Sequence, residues 1–177
     1  NGVLLYALES KEPIKNFDFI GFTLQYEMSY TNILNMLDMA GLAIRASERG
    51  EDDPIVILGG PCAYNPEPLY DIGDLFQIGE GEEVIDEVLD LYNSMKGKYS
   101  KSEILREMAK IRGIYVPSLY EVEYKEDGTI KSFRPKYEDV PAKVVKRFIP
   151  DINDNPYPED MIVPYTEIVH DRIMLET

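Results

Sequence analysis

The sequence predicts an α/β fold, a mostly parallel sheet with helices on both faces, and three observations lead there. Short apolar runs alternate with segments of helical periodicity through residues 17–113. The β-branched run Ile55-Val56-Ile57-Leu58 follows Pro54 and opens into Gly59-Gly60, as a central parallel strand does when it feeds a loop at its carboxyl end. Each helical segment is followed by a glycine suited to the left-handed position that stops a helix: Gly41, Gly97 and Gly113.

Taken in order, residues 3–8 form an apolar run expected to be a buried strand, followed by a polar link through Pro13. Residues 17–24 read as a second buried strand, interrupted at Gly21. Ser29 or Thr31 is a suitable N-cap for a helix carrying Ile33, Leu34, Met36, Leu37 and Ala40. Residues 74–78 give another short strand, closed by Gly79-Glu80-Gly81-Glu82. The helix after it has an apolar stripe through Val84, Ile85, Val88, Leu89, Leu91, Tyr92 and Met95. Glu82, Glu83 and Asp86 crowd its first turn and complement its dipole. Ser100-Lys101-Ser102-Glu103 is a capping box opening a further helix with Ile104, Leu105, Met108 and Ile111 turned inward.

The pattern then changes to strict alternation. Tyr120, Val122 and Tyr124 interleave with charged residues, Glu126-Asp127-Gly128 is a hairpin turn, and residues 129–133 return as the partner strand. Residues 134–164 hold six prolines, too many for long regular elements, and read as a linker wrapping over a neighbour. The organisation expected is therefore an α/β domain over 1–115, a hairpin appendage over 116–140 and a linker over 141–177.

Composition narrows the function. At 177 residues with 44% hydrophobic content, the chain can bury a core. A formal net charge of −15 argues against direct contact with nucleic-acid phosphates. No apolar run reaches the length of a membrane span, and the start lacks a basic segment followed by an apolar one. The single cysteine, Cys62, forbids an internal disulfide and fits a cytoplasmic setting. A truncated sheet would expose an edge strand, and with it a route to a dimer.

In doubly wound sheets, ligands collect at the carboxyl ends of the strands. Three loops here qualify: those after Thr23, after Gly59-Gly60, and at Gly79-Glu80. Taken singly, each is as readily a turn with no ligand. Their combination is more specific. Gly59-Gly60-Pro61-Cys62-Ala63-Tyr64-Asn65-Pro66-Glu67-Pro68-Leu69, then Asp74-Leu75-Phe76 and Gly79-Glu80-Gly81-Glu82-Glu83, resembles the B12-binding-type domain of radical S-adenosylmethionine (SAM) proteins. Residues 19–26 resemble the preceding strand and loop of that domain. Residues 164–176 are similar to the lead-in to the radical SAM barrel, which in such proteins runs into a Cys-x3-Cys-x2-Cys motif. The subgroup most similar is that of B12-binding-domain radical SAM proteins named as Fe–S oxidoreductases.

The resemblance implies a Rossmann-like, cobalamin-binding-type fold and a parent enzyme with a [4Fe–4S] cluster, S-adenosylmethionine and, in some members, cobalamin. It assigns the lining of a cofactor site to Thr23, Gly59 and Gly60, with Gly79 and Glu80 on the bordering loop. The barrel of the same chain would be the partner. The base-off signature Asp-x-His-x-x-Gly is absent and His170 lies in the wrong region to ligate cobalt, so no cofactor is expected on this chain itself. No catalytic residue is expected either, since nothing resembles a Ser-His-Asp set or a phosphate loop with lysine. One cysteine cannot hold a cluster. The function expected is an accessory N-terminal domain of a radical SAM oxidoreductase. The alternative is a structural or partner-binding module that has lost cobalamin. A dinucleotide-dependent enzyme ranks last, because Gly-x-Gly-x-x-Gly is missing.

Overall fold

The computed structural model describes residues 4–151 and 153. A four-stranded sheet runs in the order β1-β2-β3-β4, from β1 (Phe19–Thr23) through β2 (Ile55–Gly59) and β3 (Leu75–Gln77) to β4 (Ile114–Tyr115). The first three strands are parallel, in the register Phe19 with Ile55 and Ile57 with Leu75. β4 is antiparallel to β3, with Phe76 opposite Tyr115. The chain thus forms an α/β arrangement about a mixed, mostly parallel sheet.

The direction of β4 follows from its connection. α2 (Val84–Met95) and α3 (Lys101–Met108) are joined by a short link and pack on each other, as antiparallel neighbours do. One helix returns the chain to the amino ends of the strands. The second carries it back to the carboxyl ends, so the next strand must run the other way.

Period-two alternation splits the sheet side chains between two faces. Phe19 and Ile55 share one, where Tyr92 of α2 meets Phe19 edge-on with centroids 4.6 Å apart. Val56, Leu58 and Phe76 point to the other and are sealed from solvent. A β-carbon at Gly73 would lie 2.8 Å from Leu58, so the β2–β3 connection can close on that face only with glycine there. α1 (Tyr30–Met39) adds Ile33 and Leu37 to the same core.

Several local expectations hold to the residue. α2 spans the predicted stripe, burying Val84, Val88 and Met95 but leaving Ile85 and Leu89 exposed; Gly97 follows it at φ 73°, and Gly41 follows α1 at φ 72°. Ser100 caps α3 in a complete box: its hydroxyl accepts from the Glu103 N–H, and the Glu103 carboxylate accepts from the Ser100 N–H at 2.8 Å. The hairpin pairs β5 (Tyr120–Tyr124) with β6 (Ile130–Pro135), and Asp127 accepts from the Thr129 N–H and hydroxyl to set the turn.

Others differ. Among residues 4–8 there is no strand, only an isolated antiparallel bridge from Tyr6 to Pro13, and Leu8 is exposed. Hydrophobicity marked this run, but its backbone bonds elsewhere: the Leu5 N–H donates to the Met39 carbonyl at the end of α1, and the Ala7 N–H donates to the Glu12 carbonyl. Ser29 precedes α1 yet does not cap it, because its hydroxyl donates back to the Tyr26 carbonyl. β4 was not foreseen, since two residues carry no periodicity. The lead-in at 164–176, with His170, lies outside the described residues.

Candidate functional site

Parallel strands end together, and the sheet carries Thr23, Gly59 and Gln77 to one edge. The loops beyond them are laced tightly. The Leu24 N–H donates to the Gly59 carbonyl at 2.7 Å, and the Cys62 N–H donates to the Leu24 carbonyl at 3.0 Å. Gly60 adopts φ 93°, and a β-carbon there would stand 2.9 Å from Thr23 Cγ2 and 3.1 Å from the Leu24 nitrogen. Thr23, Gly59 and Gly60 are thus brought together as the sequence implies. The space that Gly60 leaves is filled by the β1 loop itself.

Gln77 does for the second gap what Thr23 does for the first. Its amide nitrogen donates to the carbonyls of Gly79 and Glu80 at 2.8 and 2.9 Å. Its amide oxygen would sit 3.3 Å from a β-carbon on Gly59. One side chain therefore fills the space beside Gly59 and holds the loop after β3. Sequence reasoning passed over Gln77, although a polar residue inside an apolar strand is the signal that could have found it.

The Gly79-Glu80 loop is covered by the chain's own later segment. Arg147 forms a parallel bridge with Gly79. Its N–H donates to the Ile78 carbonyl at 2.9 Å, and its carbonyl accepts from the Glu80 N–H at 3.1 Å. Gly79 sits at φ 104°, and a β-carbon there would overlap the Arg147 backbone. The Arg147 guanidinium donates to Glu83 at 2.5 Å and Glu87 at 2.8 Å, and the hydrogen bond it gives to Glu83 raises its proton affinity further. The Glu80 carboxylate accepts from the Ile149 N–H. Arg112 completes the attachment, donating to the Lys146 carbonyl at 3.2 Å and lying over the Phe148 ring. Segment 146–149 is a strap across the end of β3. Glu83, read as a dipole partner alone, also anchors that strap.

Around this edge Tyr26, Met28 and Tyr64 are exposed. Cys62 is half-buried beside Tyr30, whose hydroxyl is pushed up by burial and then by the neighbouring thiol. Among the described residues no group of three His, Cys, Asp or Glu side chains is placed to hold a metal ion. No helix of the described residues is long and apolar enough to cross a membrane.

The opposite end of the sheet is more open. A cavity of about 650 Å³ lies between the amino ends of β2 and β3, the start of α3 and the hairpin. At its floor Arg49 and Asp74 form a buried ion pair at 3.1 Å. Asp74 also accepts from the Val56 N–H at 2.7 Å, and Arg49 donates to the carbonyls of Ala43, Ile44 and Ile72. The pair locks both connections entering β2 and β3.

This architecture defines an α/β domain whose parallel strands deliver their loops to one edge. The chain belongs to the family of radical SAM proteins, N-terminal, whose model matches residues 1–117, the span that holds all four strands of the main sheet. An uncharacterized protein of Methanocaldococcus jannaschii is 34% identical to it over 118 residues, covering 65% of this chain. The chain spans 24% of that relative's length. No solved structure matches the chain.

Proposed function

We propose that this chain is the accessory N-terminal domain of a radical SAM Fe–S oxidoreductase and does not itself catalyse the reaction. The family match over residues 1–117 carries the reading. In it the sheet domain is Rossmann-like over 1–115, the hairpin at 116–140 is an appendage, and 141–177 leads toward the barrel of the same polypeptide. That barrel is the partner, and it is where a [4Fe–4S] cluster and S-adenosylmethionine belong. The residues present do not fit a cluster, which needs several thiolates, because the whole chain has one cysteine.

Cobalamin is a separate question, and here a specific observation favours the module without it. The resemblance places Thr23, Gly59, Gly60, Gly79 and Glu80 around the cofactor. In each glycine of that set the missing side chain is replaced by protein: Thr23 at Gly60, Gln77 at Gly59, Arg147 at Gly79. A ligand reaching this edge would first have to displace the strap at 146–149. The residues present therefore fit a self-filled edge better than a cofactor cradle.

Two measurements test the reading. The full-length parent, reconstituted anaerobically with iron and sulfide, should show cluster absorbance and release 5′-deoxyadenosine from S-adenosylmethionine. Absence of a cluster overturns the assignment. Titration of the same protein with hydroxocobalamin separates the two forms of it: a spectral change with a thermal shift supports a cofactor domain, and neither supports the module.

A further inference from the structure

The hairpin has two chemically different faces. On one, Arg134 pairs with Glu121 and Glu123, and Lys131 with Glu123. On the other, the register sets Tyr120 opposite Pro135 and Val122 opposite Phe133. Tyr120 and Phe133 stack with centroids 5.1 Å apart and planes 10° apart, and Tyr115 of β4 closes the cluster. This aromatic face overhangs the 650 Å³ cavity, whose volume is in the range of small-ligand sites. Its cover fades along the hairpin: Tyr120 is 7% exposed, Phe133 43% and Tyr124 64%. Tyr70 adds another exposed ring from the β2–β3 connection.

The charges lining the cavity are unequally employed. Arg49 is spent on three carbonyls and Asp74. Lys101 points its ammonium at the carbonyls of Asp53 and Pro54, and Lys136 donates to the Ser118 carbonyl at 2.7 Å. Arg49 and Lys101 are thus turned to protein acceptors inside the cavity, while Lys136 is exposed and keeps one such bond. Glu67 is different: it accepts one hydrogen bond, from the Tyr115 hydroxyl at 3.0 Å, whereas a carboxylate has room for about four. The net charge of −15 also draws cations toward the surface.

We propose that this groove binds an organic cation, a guanidinium or alkylammonium group lying on the exposed faces of Phe133 and Tyr124 with Glu67 as its acceptor. Ring quadrupoles attract such ions, and a carboxylate at the edge orients them. The cation comes either as a basic side chain of a peptide or as a free amine; both present the same chemistry. The proposal does not rest on the radical SAM reading, because none of Thr23, Gly59, Gly60, Gly79 and Glu80 lines this cavity.

The test is a titration of the full chain with argininamide, tetramethylammonium and an end-capped Gly-Arg-Gly peptide, read on the aromatic NMR signals of Tyr120, Tyr124 and Phe133. Saturable shifts with the cations and none with inorganic phosphate are expected. Glu67→Gln should weaken binding about fivefold, and Tyr124→Leu, at an exposed hairpin position, should weaken it similarly. Tighter binding of the peptide than of argininamide assigns the site to a protein partner, and the reverse to a free amine. Shifts that grow linearly without saturation, or a Glu67→Gln chain that binds unchanged, overturn the proposal.

Discussion

Gly79 and Arg147 pass each other so closely that no side chain fits at the glycine: its β-carbon would fall on the Arg147 backbone. The bridge between them brings the later chain onto the end of β3. A loop that the sequence offers to a ligand is thereby closed by residues 68 positions further on, 147 less 79.

Gly79→Ala is accordingly expected to release the strap. Two costs combine, the positive φ of about 1–2 kcal/mol and the overlap with Arg147. Gly97→Ala is the control, since Gly97 has φ 73° with open space where a β-carbon would go. Both variants should lower the thermal midpoint, but limited proteolysis should find new cleavage within 146–149 only in Gly79→Ala.

Breaking the Arg49–Asp74 pair should be the more damaging change. Asp74→Ala leaves a guanidinium buried without its carboxylate and the Val56 N–H without its acceptor. A loss of about 3–5 kcal/mol in urea unfolding is expected. The double variant Arg49→Met with Asp74→Ala should lose less than the sum of the single ones, because the orphaned charge is gone.

The capping box predicts a smaller, cleaner effect. Ser100→Ala removes the acceptor for the Glu103 N–H and should cost about 1 kcal/mol. Hydrogen bonds from the Ser100 hydroxyl and N–H hold the Glu103 carboxyl below its ordinary range. Its pKa measured by NMR should return upward in Ser100→Ala.

Asp139 sets an acid-sensitive attachment. The Arg106 guanidinium, then the Lys110 ammonium, pull its carboxyl from 3.8 down to about 2. A depressed folded pKa means stabilisation that is full above the unfolded value and lost as pH falls toward the folded one. Wild-type stability should therefore decline between about pH 4 and pH 2 more steeply than that of Asp139→Asn. Chemical unfolding across that window reads the difference.

Much of the fold was legible because its signals are local. The stripe of α2, the box at Ser100 and the alternation of β5 depend on neighbours in sequence, and so does the run Ile55-Val56-Ile57-Leu58, whose β-branched residues suit a strand buried on both faces. Residues 4–8 show the limit of that reasoning. Hydrophobicity proposed a strand, but the segment bonds to the end of α1 and to its own turn through Pro13, which no local pattern reveals.

The sequence by itself determined β1 to β3 with the helices between them, the convergence of Thr23, Gly59 and Gly60 at one edge, and the link to radical SAM proteins. Tertiary structure decided the rest. The direction of β4 depends on how many helices cross the sheet before it, the pairing of Arg49 with Asp74 joins two connections, and the openness of the Gly79-Glu80 loop depends on Arg147. Each is a contact between distant positions, and a glycine reads the same in sequence whether a ligand or the chain's own backbone fills the space beside it.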